Sequence, residues 1–306
     1  MKSKQTLVSY IALALTWGAS FLFMKIGLEG LSPSQVVLGR LGIGALTLLI
    51  LMTVTGRRWP RELKIYMHLA IVGLLLCVFP FLLFAWSGQY LPSGLSSILN
   101  ATTPFMTALF SAFLLHGNRL TRFQTLGIFI GAIGVAVVMG LWNIITDPAF
   151  VSSVPAQFGC LGATACYGIA FVYMQAFLSG KHNYDSLTIS SIQIVIGAME
   201  IGVISLFLTH PTIHLSTSVV ASIVILGAFG TGLAYIWNTK IVMNWGATAA
   251  STVTYLTPLV GVLLGIIFLK EQFFWYQPIG GIIVVTGILI VQNVIKSPEI
   301  RKRKTI

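Results

Sequence analysis

Two charged side chains lie well inside long apolar runs, and they have the most chemistry to offer. Glu200 sits in Ile196-Gly-Ala-Met-Glu-Ile-Gly-Val, with apolar or small neighbours for a full turn on either side, and Arg40 sits in Val37-Leu-Gly-Arg-Leu-Gly. At the centre of a membrane helix an ionised residue costs very roughly 3 kcal/mol to insert, so it must be neutralised, paired or turned to a wet cavity. For Glu200 this leaves a proton carrier, the anionic partner of a cationic substrate, or a structural glutamate bonded to a neighbouring helix. Arg40 pairs with Glu200, binds a substrate carboxylate, or packs and snorkels. Lys25 and Glu29, four apart, are spaced for a helical ion pair near a membrane surface, and Lys270-Glu271 reads the same way.

Trp17 and Tyr167 each precede a phenylalanine, Phe21 and Phe171, by one helical turn. These four are predicted to wall an amphiphilic pocket, with Phe79, Asn100, Tyr235 and Tyr255 as further candidates for substrate contact. Pro80, Pro104 and Pro258 fall inside apolar runs, where each removes a backbone hydrogen bond. Pro104 and Pro258 follow threonines at matching places and are predicted hinges. No HExxH, Walker loop or GxSxG is present and no apolar run carries two aspartates, so metalloprotease, ATPase, serine hydrolase and aspartyl intramembrane protease chemistry lacks its groups. His68, His116, His182, His210 and His214 lie at the ends of apolar runs or between them. Cys77, Cys160 and Cys166 have neither disulfide nor zinc spacing, so no metal and no cofactor are expected.

The elements that must position these residues follow from composition. Only 8% of the 306 residues are charged and 56% are apolar, against about 25% charged in soluble domains. This is an all-α polytopic membrane protein. Its net charge of +11 resides at the ends of apolar runs and in the tail, where it reads as a topology signal and not as a nucleic-acid surface. Breaking the runs at turns and charges predicts ten spans, near 6–28, 33–55, 65–87, 92–115, 121–142, 156–179, 184–208, 217–241, 247–270 and 275–296. The first is too long for a signal peptide and is read as a span. Counting Lys and Arg in alternate loops places both termini in the cytoplasm.

A constant offset of 154 pairs Thr103-Pro104 with Thr257-Pro258, Gly73 with Gly227 and Ser97 with Ser251. An offset near 150 pairs Trp17-Gly18 with Tyr167-Gly168, and 153 pairs Arg40 with Gln193. Five spans per half is odd, so the halves are predicted to be inverted five-helix repeats, the architecture of secondary carriers with a midplane site. The predicted organisation is a first repeat at 1–145, an outer linker at 146–155, a second repeat at 156–296 and a basic tail at 297–306 held near lipid headgroups. Glycines four apart, Gly127 with Gly131 and Gly261 with Gly265, are expected at close helix contacts.

Trp17-Gly-Ala-Ser-Phe-Leu-Phe-Met-Lys25, Leu31-Ser-Pro33 and Gly39-Arg40 resemble the opening of the EamA-like family of the drug/metabolite transporter superfamily. Tyr255-Leu-Thr-Pro258 through Leu269-Lys-Glu271, with Gln277 and Gly280, resembles its second repeat. The resemblance implies carriage of small metabolites or drugs. It also implies that spans one, three, four, six, eight and nine surround the pathway while five and ten pack behind. His116-Gly117-Asn118 departs from the Gly-Glu that the family often has after the fourth span.

The expected function is a secondary transporter of the bacterial-type inner or plasma membrane. It would export small amphiphilic metabolites such as amino acids by alternating access, with Glu200 as a proton-coupling candidate. The alternatives are an organic cation or amine transporter, or a membrane sensor or scaffold that moves nothing. Expected partners are the small-molecule substrate, the bilayer and protons, and no nucleic acid.

Overall fold

The computed structural model describes residues 2–114, 121–144, 148–177, 184–208 and 213–291, and among these the chain is helical with no strand. The basic tail, the His116-Gly117-Asn118 departure, His182 and His210 lie outside the described residues. Helices α1 (Lys2–Gly27), α2 (Pro33–Val54), α3 (Leu63–Gly73) and α4 (Phe79–Gly88) come first. They are followed by α5 (Ser93–Asn100), α6 (Thr103–Leu114) and α7 (Arg122–Met139). The second half holds α8 (Pro148–Phe177), α9 (Ser186–Ser205), α10 (Thr217–Gly227), α11 (Ala234–Trp245), α12 (Ala247–Ser251), α13 (Thr257–Leu269) and α14 (Tyr276–Val291). Seven continuous helical stretches among the described residues are long and apolar enough to cross a membrane, and Thr125–Met139 and Tyr276–Ile290 are shorter apolar helices.

Helix starts follow local chemistry. Ser32 accepts from Gln35 N while Gln35 reaches back to the Ser32 amide, a reciprocal cap followed at once by Pro33. Asp185 caps α9 through Thr188 N at 2.9 Å, and Ser216 caps α10 through Val219 N at 3.2 Å. α8 begins at Pro148 and continues through Pro155, so residues 148–155, read from the sequence as connection, are helical. Pro148 stands in the first turn, where a missing N–H has no cost, while Pro155 lies in the interior.

Both halves are broken at matching places. α3 joins α4 through a π-helical turn, Leu74–Val78, and α10 joins α11 through another, Ala228–Leu233. Gly73 and Gly227, paired by the repeat offset, stand immediately before the two turns. Pro80 gives a reason for the first: it has no N–H to offer the carbonyl of Leu76, and Tyr235 Oη donates to that carbonyl at 2.7 Å instead. A turn at Ala101-Thr102 separates α5 from α6, and a 3-10 turn, Thr252–Tyr255, separates α12 from α13. Pro104 and Pro258 therefore stand in the first turn of a new helix and do not kink a continuous one. Thr103 Oγ1 donates to Asn100 O at 2.7 Å and Thr257 Oγ1 to Thr254 O at 2.9 Å, the same contact in each half.

α7 and α14 pack on each other away from the centre. A Cβ on Gly134 would meet Val284 N and Gly280 O, and one on Gly287 would meet Gly131 N and Gly127 O, so only glycine permits this approach. A Cβ on Gly261 would meet the Ser97 side chain of α5, and one on Gly265 would meet the Glu271 carboxylate and Ser93 Oγ.

Candidate functional site

A chamber lies between the halves. α1 lines it with Trp17, Ser20, Phe21 and Met24, α4 with Phe81 and Phe84, and α8 with Tyr167 and Phe171. Arg40 of α2, Leu76 of the first π-helical turn, Asn100 at the end of α5 and Thr254 of the 3-10 turn complete the wall. The helix breaks thus deliver Leu76, Asn100 and Thr254 to the centre, as irregular backbone in a membrane protein must lie against protein or a cavity.

The lining is paired by the repeat. Trp17 and Tyr167, Phe21 and Phe171, and Asn100 and Thr254 are equivalent residues, and both members of each pair line the chamber. Phe21 meets Phe84 edge-on at 5.4 Å between ring centres, and Phe84 lies 6.0 Å from Tyr167. Asn100 Nδ2 donates to Thr257 Oγ1 at 3.4 Å, which ties the two broken helices together.

Charge breaks this symmetry. Arg40 is 6% exposed, and its Cζ stands 3.6 Å from the centre of the Phe81 ring. Its Nε donates to Thr231 Oγ1 at 2.8 Å and its Nη2 to Gly230 O at 3.3 Å, both in the second π-helical turn. The equivalent Gln193 is fully buried away from the chamber and donates to Cys77 Sγ at 3.3 Å.

Of the predicted site residues, Trp17, Phe21, Asn100, Tyr167, Phe171 and Arg40 come together. Tyr235 stands behind them, 1% exposed, with Trp17 at 6.0 Å and Phe81 at 6.4 Å between ring centres. Phe79 does not join: it is 43% exposed on the outer side of α4. Tyr255 packs beside Phe105, Val284 and Ile288, outside the lining. Glu200 does not pair with Arg40, since the ion pair within 4 Å among the described residues is Arg57 with Asp185. Its Oε2 lies against Gly73, where a Cβ would stand 3.0 Å away. Ser20, Met24, Leu76, Phe81, Phe84 and Thr254 also line the chamber, and repeat pairing was the available signal for Thr254, the partner of Asn100.

The charges near the end of α1 are not merely interfacial. Lys25 Nζ donates to Gly88 O at 2.5 Å and Leu91 O at 2.9 Å, holding the C-terminal end of α4 where the predicted pairing with Glu29 was expected. α13 ends on Lys270 in the left-handed region (φ 53°), which turns Glu271 back. Glu271 then accepts from Ser93 N at 2.6 Å, Ser93 Oγ at 3.0 Å and Gly94 N at 2.9 Å, capping α5 across the repeat boundary. No group of three His, Cys, Asp or Glu that would hold a metal is found among the described residues.

The chain is a multi-pass membrane protein whose helices enclose an apolar, singly charged chamber. It belongs to the EamA-like transporter family, whose model matches residues 5–140 and 155–292. It is 25% identical over 306 residues to the uncharacterized transporter YyaM of Bacillus subtilis (strain 168), covering 98% of this chain and 97% of the relative. It is 28% identical to an uncharacterized transporter of Archaeoglobus fulgidus, over 92% and 98% of the two chains. It is also 25% identical to the uncharacterized inner membrane transporter YedA of Escherichia coli (strain K12), over 83% and 79%. A solved crystal structure superposes with a TM-score of 0.65 at 18% identity, covering 97% of this chain and 99% of that one, which shows the shared fold. The chain is a membrane transporter, and its substrate is a small molecule.

Proposed function

We propose that this protein is a secondary transporter built from ten membrane-crossing helices in two inverted repeats, with both termini cytoplasmic. It carries small amphiphilic metabolites, amino acids or related compounds, outward across the bacterial inner membrane by alternating access, with proton coupling through Glu200. The observation that supports this most directly is the chamber wall of repeat-equivalent pairs, Trp17 with Tyr167, Phe21 with Phe171 and Asn100 with Thr254. A site shared by two inverted repeats is opened to either side by rocking one half against the other. The matched breaks before Pro104 and Pro258 are the places where such motion bends least backbone. The amine alternative rests on Glu200 as counter-charge and on cation-π attraction to the aromatic walls; the aromatic walls line the chamber, and Glu200 is not among the lining residues.

Flux of labelled amino acids, their acids and amines across proteoliposomes, with and without an imposed pH gradient, tests the reading. Gradient-sensitive flux of one class is the expected result. Gradient-indifferent flux removes proton coupling, and flux at the protein-free background for the whole panel removes the carrier reading.

A further inference from the structure

We propose that Arg40 anchors a substrate carboxylate in the chamber, and that the chamber prefers apolar or aromatic carboxylates to amines and gains nothing from an ammonium group on the same acid. The inference rests on the carrier reading for its meaning in transport, but its evidence is the wall itself.

Arg40 is a buried cation without a counter-charge among the described residues. Its Nε and Nη2 bonds to Thr231 and Gly230 fix one edge of the guanidinium, and Phe81 covers one face. Nη1 has no protein acceptor among the described residues, and the side chain lines the open space. No carboxylate lies within 4 Å of Arg40 among the described residues. Glu271 is committed to the cap of α5, Asp185 to Arg57, and Glu200 lies against Gly73. Burying an unpaired charge is expensive, and a planar carboxylate on the free edge of a guanidinium offsets that cost through charge-assisted bonds.

The fold does not require the charge. In the other half the same packing of helix against π-helical turn is made by Gln193 on Cys77, both neutral. A cation at position 40 is therefore surplus to packing, and it is the member of the pair that faces the chamber. The remaining polar lining is neutral and partly occupied: Ser20 Oγ donates to Thr16 O and Thr254 Oγ1 to Ser251 O. No lining residue is anionic and Arg40 repels a second cation, so an ammonium group is left with the aromatic faces alone, and an amino acid binds no better than the same acid without its amine.

Binding to the full chain in lipid nanodiscs, read by titration calorimetry, tests this with 3-phenylpropionate, phenylalanine, 3-phenylpropanamide and 3-phenylpropylamine. The acid should bind at least about tenfold tighter than the amide and the amine, and phenylalanine no tighter than the acid. Arg40→Gln should bring acid and amide within about twofold, with Arg40→Lys retaining part of the preference. An amide or amine as tight as the acid, no saturable acid binding, or an undiminished preference in Arg40→Gln overturns the proposal. If that variant does not fold, the wild-type ranking decides alone. Because the readout is binding, a protein that binds the acid but moves nothing refutes the carrier reading and leaves the anchor standing. Flux without acid preference does the reverse.

Discussion

Arg40 Nε donates to Thr231 Oγ1 at 2.8 Å, a bond from the second helix of one half into the π-helical turn of the other. Its repeat counterpart, Gln193 Nε2 to Cys77 Sγ at 3.3 Å, runs the opposite way between the same kinds of element. The two contacts cross between the halves, and they differ in how well they satisfy their groups. Thr231 gives the arginine a true oxygen acceptor, whereas Gln193 leaves its Oε1 buried without a partner among the described residues.

That difference predicts unequal costs. Thr231→Val keeps the shape but strands a charged donor, and it should destabilise by about 1–3 kcal/mol. Gln193→Leu removes a half-satisfied amide and should be close to neutral or stabilising. Unfolding midpoints of the two variants in one detergent would check the contrast; equal losses would contradict it.

Gly18 and Gly168 make the equivalent close approach in each half. A Cβ on Gly18 would stand 2.6 Å from Val260 Cβ and 2.8 Å from Thr257 O, and one on Gly168 would stand 2.7 Å from Met106 C. Met106 and Val260 are themselves 154 residues apart. Gly18→Val and Gly168→Val should each destabilise by about 1–3 kcal/mol by forcing α1 from α13 and α8 from α6. Gly42→Ala and Gly202→Ala, with nothing within 4 Å of the added carbon, should be neutral or slightly stabilising. Thermal melts of the four proteins would check this.

The repeat was legible in the sequence because it is written in residues with backbone consequences. Gly73 and Gly227 border the π-helical turns, and Thr103-Pro104 and Thr257-Pro258 mark the helix breaks. The direction in which a side chain faces was not legible. A membrane helix is apolar on its lipid side and its protein side alike, so no amphipathic phase tells one from the other. Depth alone therefore suggested an Arg40 and Glu200 pair, which the structure does not contain, and placed Phe79 and Tyr255 with the lining aromatics. Trp17, Phe21, Tyr167 and Phe171 came together because two independent halves had to agree about them.

The cap of α5 by Glu271 is predicted to protect one end of the molecule only. Glu271 satisfies the amides of Ser93 and Gly94, while α12, the equivalent of α5, starts at Gly246 with no side-chain cap. Glu271→Ala should raise hydrogen exchange over residues 93–97 by about five- to thirtyfold, the effect of losing about 1–2 kcal/mol of capping. Residues 247–251 should be unchanged. Exchange rising equally at both places would mean that the variant loosens the fold generally.

Glu200 offers the sharpest separation of a coupling role from a structural one. Its Oε2 is buried without a hydrogen-bond partner among the described residues, against Gly73 at the first π-helical turn. No cation pairs with it within 4 Å among the described residues, so Glu200→Gln preserves the shape and breaks no ion pair. The variant should therefore fold with an unchanged melting midpoint. If Glu200 carries the coupled proton, flux in proteoliposomes should lose its response to a pH gradient while exchange of substrate between the two sides continues. Gradient-driven flux at the wild-type level would assign Glu200 to packing, and a lowered melting midpoint would expose a structural bond that this arrangement does not provide. Gly73→Ala supplies the complementary perturbation, because its methyl group would stand 3.0 Å from Oε2 and 3.4 Å from Gln193 O. That methyl displaces the carboxyl while leaving it titratable, so gradient-driven flux should be slowed without losing its dependence on the gradient.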